Sequence, residues 1–359
     1  MNLTGGWRGL NFELQINFVK LKSVQNNESN ESQNFPSPPV KKDILAANLP
    51  PVSPDNPPWN SWEAFGVWAA SVAFIIIFPN VFLLLYLSGQ NLNFTDQSAV
   101  VEFAKTDPTA VLTQISAIIP AHILTLLLAW LVVTRFKRFS FRETLGWRWN
   151  GFNVWTCLII LGGFFVLSAV VSNFFPEQNN DFLRMLKTSR TVVYVVAFLA
   201  TFTAPLVEEV IYRGILYSAF QRTFKIPVRI LLAEYRIFRE LKNLLIKFNL
   251  YKVAEGILTA IENFQFKYAI QSAILFVTIV FALVHVPQYW GSPATIFLLC
   301  LLSLILTLIR WRTDNLLPCI ALHTVFNGSQ SVLLILQPYL EKYVESQQSP
   351  AAALFQFFR

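Results

Sequence analysis

Seven stretches of this chain stay apolar over close to the ~20 residues that a helix needs to cross a bilayer. They lie at about 64–88, 110–134, 152–175, 191–220, 268–289, 293–310 and 314–337. In lipid every backbone N–H and C=O must find its partner inside the protein, so long runs without period-two alternation select helices. The expected fold is all-α, a polytopic transmembrane helical bundle of about seven spans. Composition agrees: 54% of residues are hydrophobic and 14% charged, against about 25% charged in a soluble domain. A soluble globular enzyme and a disordered chain are both excluded.

The formal charge is +7. No nucleic-acid motif accompanies it, so no nucleic-acid partner is expected. Cationic loops on one membrane face explain it more simply. Lys and Arg outside the spans fall mostly on one side by alternate counting, which predicts a cytoplasmic N-terminus. An integral multi-pass protein of the cell or inner membrane follows, with membrane lipid as its first partner. Trp59, Trp62, Trp68, Trp147, Trp149 and Trp311 near span ends read as interfacial aromatics. Cys157, Cys300 and Cys319 lie in apolar runs, odd in number and widely spaced, so neither a disulfide framework nor a CxxC metal site is expected.

Residues 1–60 are polar at Asn26–Asn34 and then proline-rich to Pro58, which reads as a disordered or extended linker. It holds no apolar signal core, so the first span is expected to serve as insertion signal. Residues 61–337 form the transmembrane domain and 338–359 a C-terminal tail. Within that domain, 222–267 is too charged to span. Ile237, Phe238, Leu241, Leu244 and Leu245 recur at helical spacing between Arg236, Arg239, Lys242 and Lys247; Val253, Ile257, Leu258, Ile261 and Phe264 follow in a second pattern. A cytoplasmic amphipathic helical insert is expected, two helices lying at the interface or packing as a hairpin.

Ionisable groups inside spans are costly and point to function. Here they concentrate in three spans: Glu208, Glu209 and Arg213 in the fourth, His285 in the fifth, His323 with Asn327 in the seventh. Adjacent helix residues point about 100° apart, so the two glutamates cannot face one pocket together. Arg213 is four residues after Glu209 and shares its face, so those two can pair. Glu208 is left to face something else, and a carboxylate opposite a histidine is a competent water activator. His323 and Asn327, also four apart, can present N–H donors to one point, as an oxyanion requires. Phe281 precedes His285 by the same spacing and can wall it from water. Each feature alone also fits an interior histidine, an ion-pair network or a transporter gate. His122 and Gln114 read as helix-packing polar residues, and Asp314 as the cap that starts the seventh span.

These three motifs, Glu208-Glu209-x-x-x-Arg213, Phe281-x-x-x-His285 and His323-x-x-x-Asn327, together resemble the intramembrane proteases of the CAAX prenyl protease and bacteriocin-processing group (CPBP, or Abi). Gly214, Leu216 and the NLLPCIALH approach to His323 also look like that family. The resemblance covers about 110–337. It implies an endopeptidase that hydrolyses a peptide bond in a membrane-associated or prenylated peptide or protein. Glu208 with His285 would activate water, His323 and Asn327 would form the oxyanion hole, and Glu209 and Arg213 would hold the scaffold. The gap from Arg213 to Phe281 is longer than usual for the group, which bears on substrate access. No cofactor is expected: an HExxH motif is missing, although Glu208, His285 and His323 could instead ligate Zn²⁺, with Glu209 as base. Two further readings keep the same residues. One is a non-proteolytic immunity or scaffold protein of the family. The other is a proton-coupled transporter using Glu208, for which no internal repeat is visible.

Overall fold

A computed structural model describes residues 52–92, 95–175, 181–228, 230 and 236–347. All belong to one compact unit, Pro50–Arg359. The expected linker therefore lies, up to residue 51, outside the described residues, as does the tail beyond 347. The described elements are helical, without strands: α1 Ser61–Ser88, α2 Gln97–Thr106, α3 Pro108–Thr134, α4 Phe141–Leu145, α5 Val154–Phe174, α6 Asp181–Leu186, α7 Arg190–Thr223, α8 Arg236–Lys247, α9 Tyr251–His285, α10 Pro293–Thr313 and α11 Leu317–Gln347. Among the described residues, α1, α3, α5, α7, α9, α10 and α11 are long and apolar enough to cross a membrane. The fold is an all-α polytopic bundle and the chain an integral membrane protein.

Local signals set the helix starts. Asn60 caps α1 reciprocally with Glu63, a capping box. Asp107 caps α3 ahead of Pro108, a proline placed where its missing N–H costs nothing. Asp314 does not cap the start of α11 as expected. It ends α10 in the left-handed conformation, with φ 53° and its N–H on the Arg310 carbonyl. Asn is the commonest non-glycine residue there and Asp is tolerated for the same reason, a short polar side chain.

The described end of the N-terminal segment packs onto the bundle. Trp59 is wholly buried, not interfacial, and its indole donates to the Ile215 carbonyl at 3.1 Å. Arg222 and Arg135 hold the Pro57 and Pro58 carbonyls. The main core joins this segment to α1, α7 and α9 through Trp59, Val67, Ile211, Tyr217, Val277 and Phe281. A second core joins α5, α10 and α11 through Phe164, Leu306, Leu322 and Phe326. The three cysteines are free.

Two elements differ from the pattern in the sequence. The second amphipathic stretch, 253–264, is not a helix of its own. It runs without a break into the fifth span, because no glycine or proline interrupts Ile257–His285. The result is one helix of 35 residues, α9, about 50 Å long. The fourth span, α7, is not a uniform α-helix either. It widens into π-helix at Leu199–Thr203 and again at Val210–Leu216, with Glu208 and Glu209 on the α-helical turn between.

Candidate active site

The first π stretch has a chemical cause. Its register sends the N–H of residue i to the carbonyl of residue i−5, as Ala204 does to Leu199. The next residue, Pro205, has no N–H to send to Ala200. A buried carbonyl without a partner is costly, and α11 supplies one: Asn327 Nδ2 donates to Ala200 O at 2.9 Å. Gly328 lets the helices close here, since a Cβ on it would press on Thr201 at 3.2 Å. Ser331 adds a bond to Thr201, accepting from its hydroxyl at 3.0 Å. Wide turns of this kind recur at functional sites.

The second π stretch begins directly after Glu209 and carries Arg213. Glu209 and Arg213 are fully buried. Arg213 Nη1 donates to Glu209 Oε1 at 2.8 Å. Its remaining donors reach α10: Nη2 to the Ser303 hydroxyl at 2.8 Å and carbonyl at 3.0 Å, Nε to the Thr307 hydroxyl at 3.3 Å. Arg310, one turn further, donates from Nε to the Arg213 carbonyl at 3.1 Å. Arg213, buried in the protein, thus has every nitrogen satisfied, the condition under which such a charge is tolerated, whereas Arg310 Nη1 and Nη2 are buried without a partner among the described residues. Arg310, which counts by sequence among the charges outside the spans, is wholly buried, and Ser303 and Thr307 carry no sequence motif. Their spacing in an otherwise apolar helix, four residues and then three, was the available signal.

His323 meets the same carboxylate. Its Nδ1 stands 2.8 Å from Glu209 Oε1, so that oxygen accepts from both the imidazole and Arg213. This fixes His323 with Nδ1 protonated and turns Nε2 toward Glu208, 3.8 Å from its Oε2. Glu208, unlike Glu209, keeps 22% of its side chain exposed. His323, rather than His285, is therefore the imidazole at ion-pair distance from Glu208.

His285 ends α9. Its Nδ1 donates to the Phe281 carbonyl at 2.7 Å, leaving Nε2 as the free nitrogen. Phe281 is the common wall. Its ring lies 4.7 Å from the His285 ring, 6.2 Å from the His323 ring and 5.0 Å edge-on from Tyr212, with Arg213 Cζ 4.8 Å over its face. A buried cation over an aromatic face is favourable. Tyr212 is itself held by the Trp68 indole at 3.2 Å. The structure thus brings Glu208, Glu209, Arg213, Phe281, His285 and His323 around one centre. It sets Asn327 one turn beyond His323, with one amide hydrogen on Ala200.

Among the described residues, no three His, Cys, Asp or Glu side chains are arranged to hold a metal ion. In the alternative zinc set, Glu208, His285 and His323 do not converge as one ligand group. As placed, these three residues do not form a zinc ligand set.

Outside the site, His122 Nδ1 pairs with the Thr203 hydroxyl at 3.0 Å and Gln114 donates to the Ala104 carbonyl of α2 at 2.8 Å. Both are helix-packing contacts, as read from the sequence.

No curated protein and no solved structure matches the chain. A family does: type II CAAX prenyl endopeptidase, Rce1-like, over residues 254–329. The matched stretch holds Phe281, His285, His323 and Asn327, and the Glu208–Arg213 motif precedes it. Residues 254–329 thus match the Rce1-like family of type II CAAX prenyl endopeptidases, in agreement with the resemblance that the three motifs carry.

Proposed function

We propose that the protein is an intramembrane endopeptidase that hydrolyses a peptide bond in a membrane-associated substrate, the prenylated C-terminal type being the first candidate. The observation that carries this reading is the division of labour between adjacent glutamates. Glu209 is buried and neutralised by Arg213, while Glu208 is partly exposed and faces an imidazole.

A water oxygen about 2.8 Å from both Glu208 Oε2 and His323 Nε2 fits the gap between them, with normal hydrogen bonds to each. Glu208 takes its proton as general base, and His285 offers the free Nε2 as a second acceptor on the same side of Phe281. The resulting hydroxide attacks the scissile carbonyl carbon. The carbonyl oxygen becomes the oxyanion, and the free amide hydrogen of Asn327 is the donor offered to it, joined by His323 Nε2 where the imidazole enters the step already carrying both protons. Glu209 stabilises that imidazolium as a buried carboxylate beside Nδ1 does. Collapse breaks the C–N bond, and the proton held by Glu208 passes to the leaving amine. No metal enters this sequence. The substrate's lipid or apolar segment brings it to a site that opens within the bilayer, with the N-terminus on the cytoplasmic side.

The test is cleavage of a farnesylated CAAX peptide by the purified protein in lipid nanodiscs, beside Glu208→Gln and His285→Ala. The parent should cleave, each variant should lose about 100-fold or more, and a zinc chelator should change nothing. Equal cleavage by all three would remove the catalytic assignment. A parent inert toward this peptide and a peptide library would favour a non-proteolytic scaffold.

A further inference from the structure

The part of α9 before the fifth span has an apolar face that is exposed among the described residues. Val253, Ile257, Ile261 and Phe264 are 47–65% exposed. At 100° per residue they fall within about 80° of the helix circumference. Leu275 and Ile279, further along the same unbroken helix, fall in the same arc and are equally exposed, 58% and 45%. Those two lie in the span, where an exposed apolar side chain faces acyl chains. The face of Val253–Phe264 therefore points to the lipid side as well. From Val253 to Ile279 the stripe is about 39 Å long, against ~30 Å for the hydrocarbon core. Its first turns must reach the headgroup layer.

Charge identifies that layer. Residues 225–267 contain eight Lys or Arg and four Glu. Lys242, Lys247 and Lys252 are exposed, and Lys242 stacks over the Tyr251 ring at 5.5 Å, linking α8 to the start of α9. On α8, Leu241 and Leu244 are exposed in turn. Exposed Leu, Ile and Phe beside a surplus of Lys and Arg suit a helix lying on an anionic bilayer surface. A second copy of this chain would bring the same positive charge to the contact and be repelled.

We propose that residues 236–264 are a docking arm for a leaflet rich in anionic phospholipid. The Lys and Arg side chains bind phosphate-bearing headgroups, and the apolar stripe sinks to the acyl boundary.

The test is hydrogen–deuterium exchange of the full chain in nanodiscs of phosphatidylcholine, with or without one third phosphatidylglycerol. With the anionic lipid, amides of 236–264 should exchange about tenfold more slowly. High salt should abolish the difference. So should the triple variant Lys242→Gln, Lys247→Gln, Lys252→Gln, while exchange across 317–327 in the core stays parental and reports an intact fold. Equal exchange in the two disc types overturns the proposal. So does protection that appears only when a disc holds two chains, which would make a second copy the occupant. Neither outcome touches the peptidase reading, because these lysines stand apart from Glu208, His285 and His323.

Discussion

His323 Nδ1 and Glu209 Oε1 stand 2.8 Å apart, both residues buried, and Arg213 shares the same oxygen. Removing the carboxylate strands a buried guanidinium and frees the imidazole. Glu209→Gln and Arg213→Ala should each cost about 3–5 kcal/mol. The expected outcome is loss of folded, monodisperse protein on size-exclusion chromatography together with loss of activity. Arg213→Ala at parental yield and melting temperature, yet inactive, would assign Arg213 a direct part in hydrolysis.

Glu208 should behave in the opposite way. It is partly exposed and stands 3.8 Å from His323 Nε2 rather than against a buried guanidinium. Glu208→Gln should leave the thermal midpoint within about 2 °C of the parent while cutting kcat by about 100-fold or more. Differential scanning fluorimetry on the same preparation used for kinetics reads both quantities.

Asn327 has a bond to lose besides any role in chemistry. Asn327→Leu leaves the Ala200 carbonyl buried without a donor, a cost of about 1–3 kcal/mol. Pro205→Ala returns an N–H to α7 near that carbonyl. In a double-mutant cycle, Asn327→Leu should therefore cost less on the Pro205→Ala background, with a coupling of about 1 kcal/mol. Additive costs would show that Asn327 does not replace the bond missing at Pro205.

Gly146 ends α4 at φ 66°, and its carbonyl accepts from Leu316 N–H at 2.8 Å. A Cβ there would run into the Asp314 carbonyl. Gly146→Ala should lower stability by about 2 kcal/mol or more. Gly162→Ala, in α5 with open space around the added methyl, should leave the melting temperature unchanged or raise it.

The spans were legible because a bilayer imposes a length on apolar runs, and no soluble constraint competes with it. The pairing of Glu209 with Arg213 follows from four-residue spacing, which survives even in the π register. What spacing cannot show is which histidine meets which glutamate. That depends on how α9 and α11 are rotated against α7, and His323 rather than His285 stands beside Glu208. The π stretches were also hidden. Pro205 announces a missing N–H, but its effect on the turn depends on Asn327 arriving from over a hundred residues away. Trp59 looked interfacial because it sits beside a span in sequence. The Ile215 carbonyl that holds its indole belongs to another helix. The insert's two apolar patterns were visible, but the continuity of the second with the fifth span was not, since a fall in hydropathy looks the same whether a helix stops or leaves the membrane.

The wide turn at Val210–Leu216 also bears on how such a chain can vary in length. A π stretch is a helix that accommodates a residue more than its α-helical counterpart. Deleting one residue there, other than Arg213, lets the backbone relax to the ordinary pitch with Tyr217 onward still in phase. The same deletion in an α-helical part of α7 turns everything downstream by about 100°. Loss of a single residue is thus tolerated best at a position beside Glu208 and Glu209, where it retunes the approach of Arg213 and leaves the rest of the crossing in register.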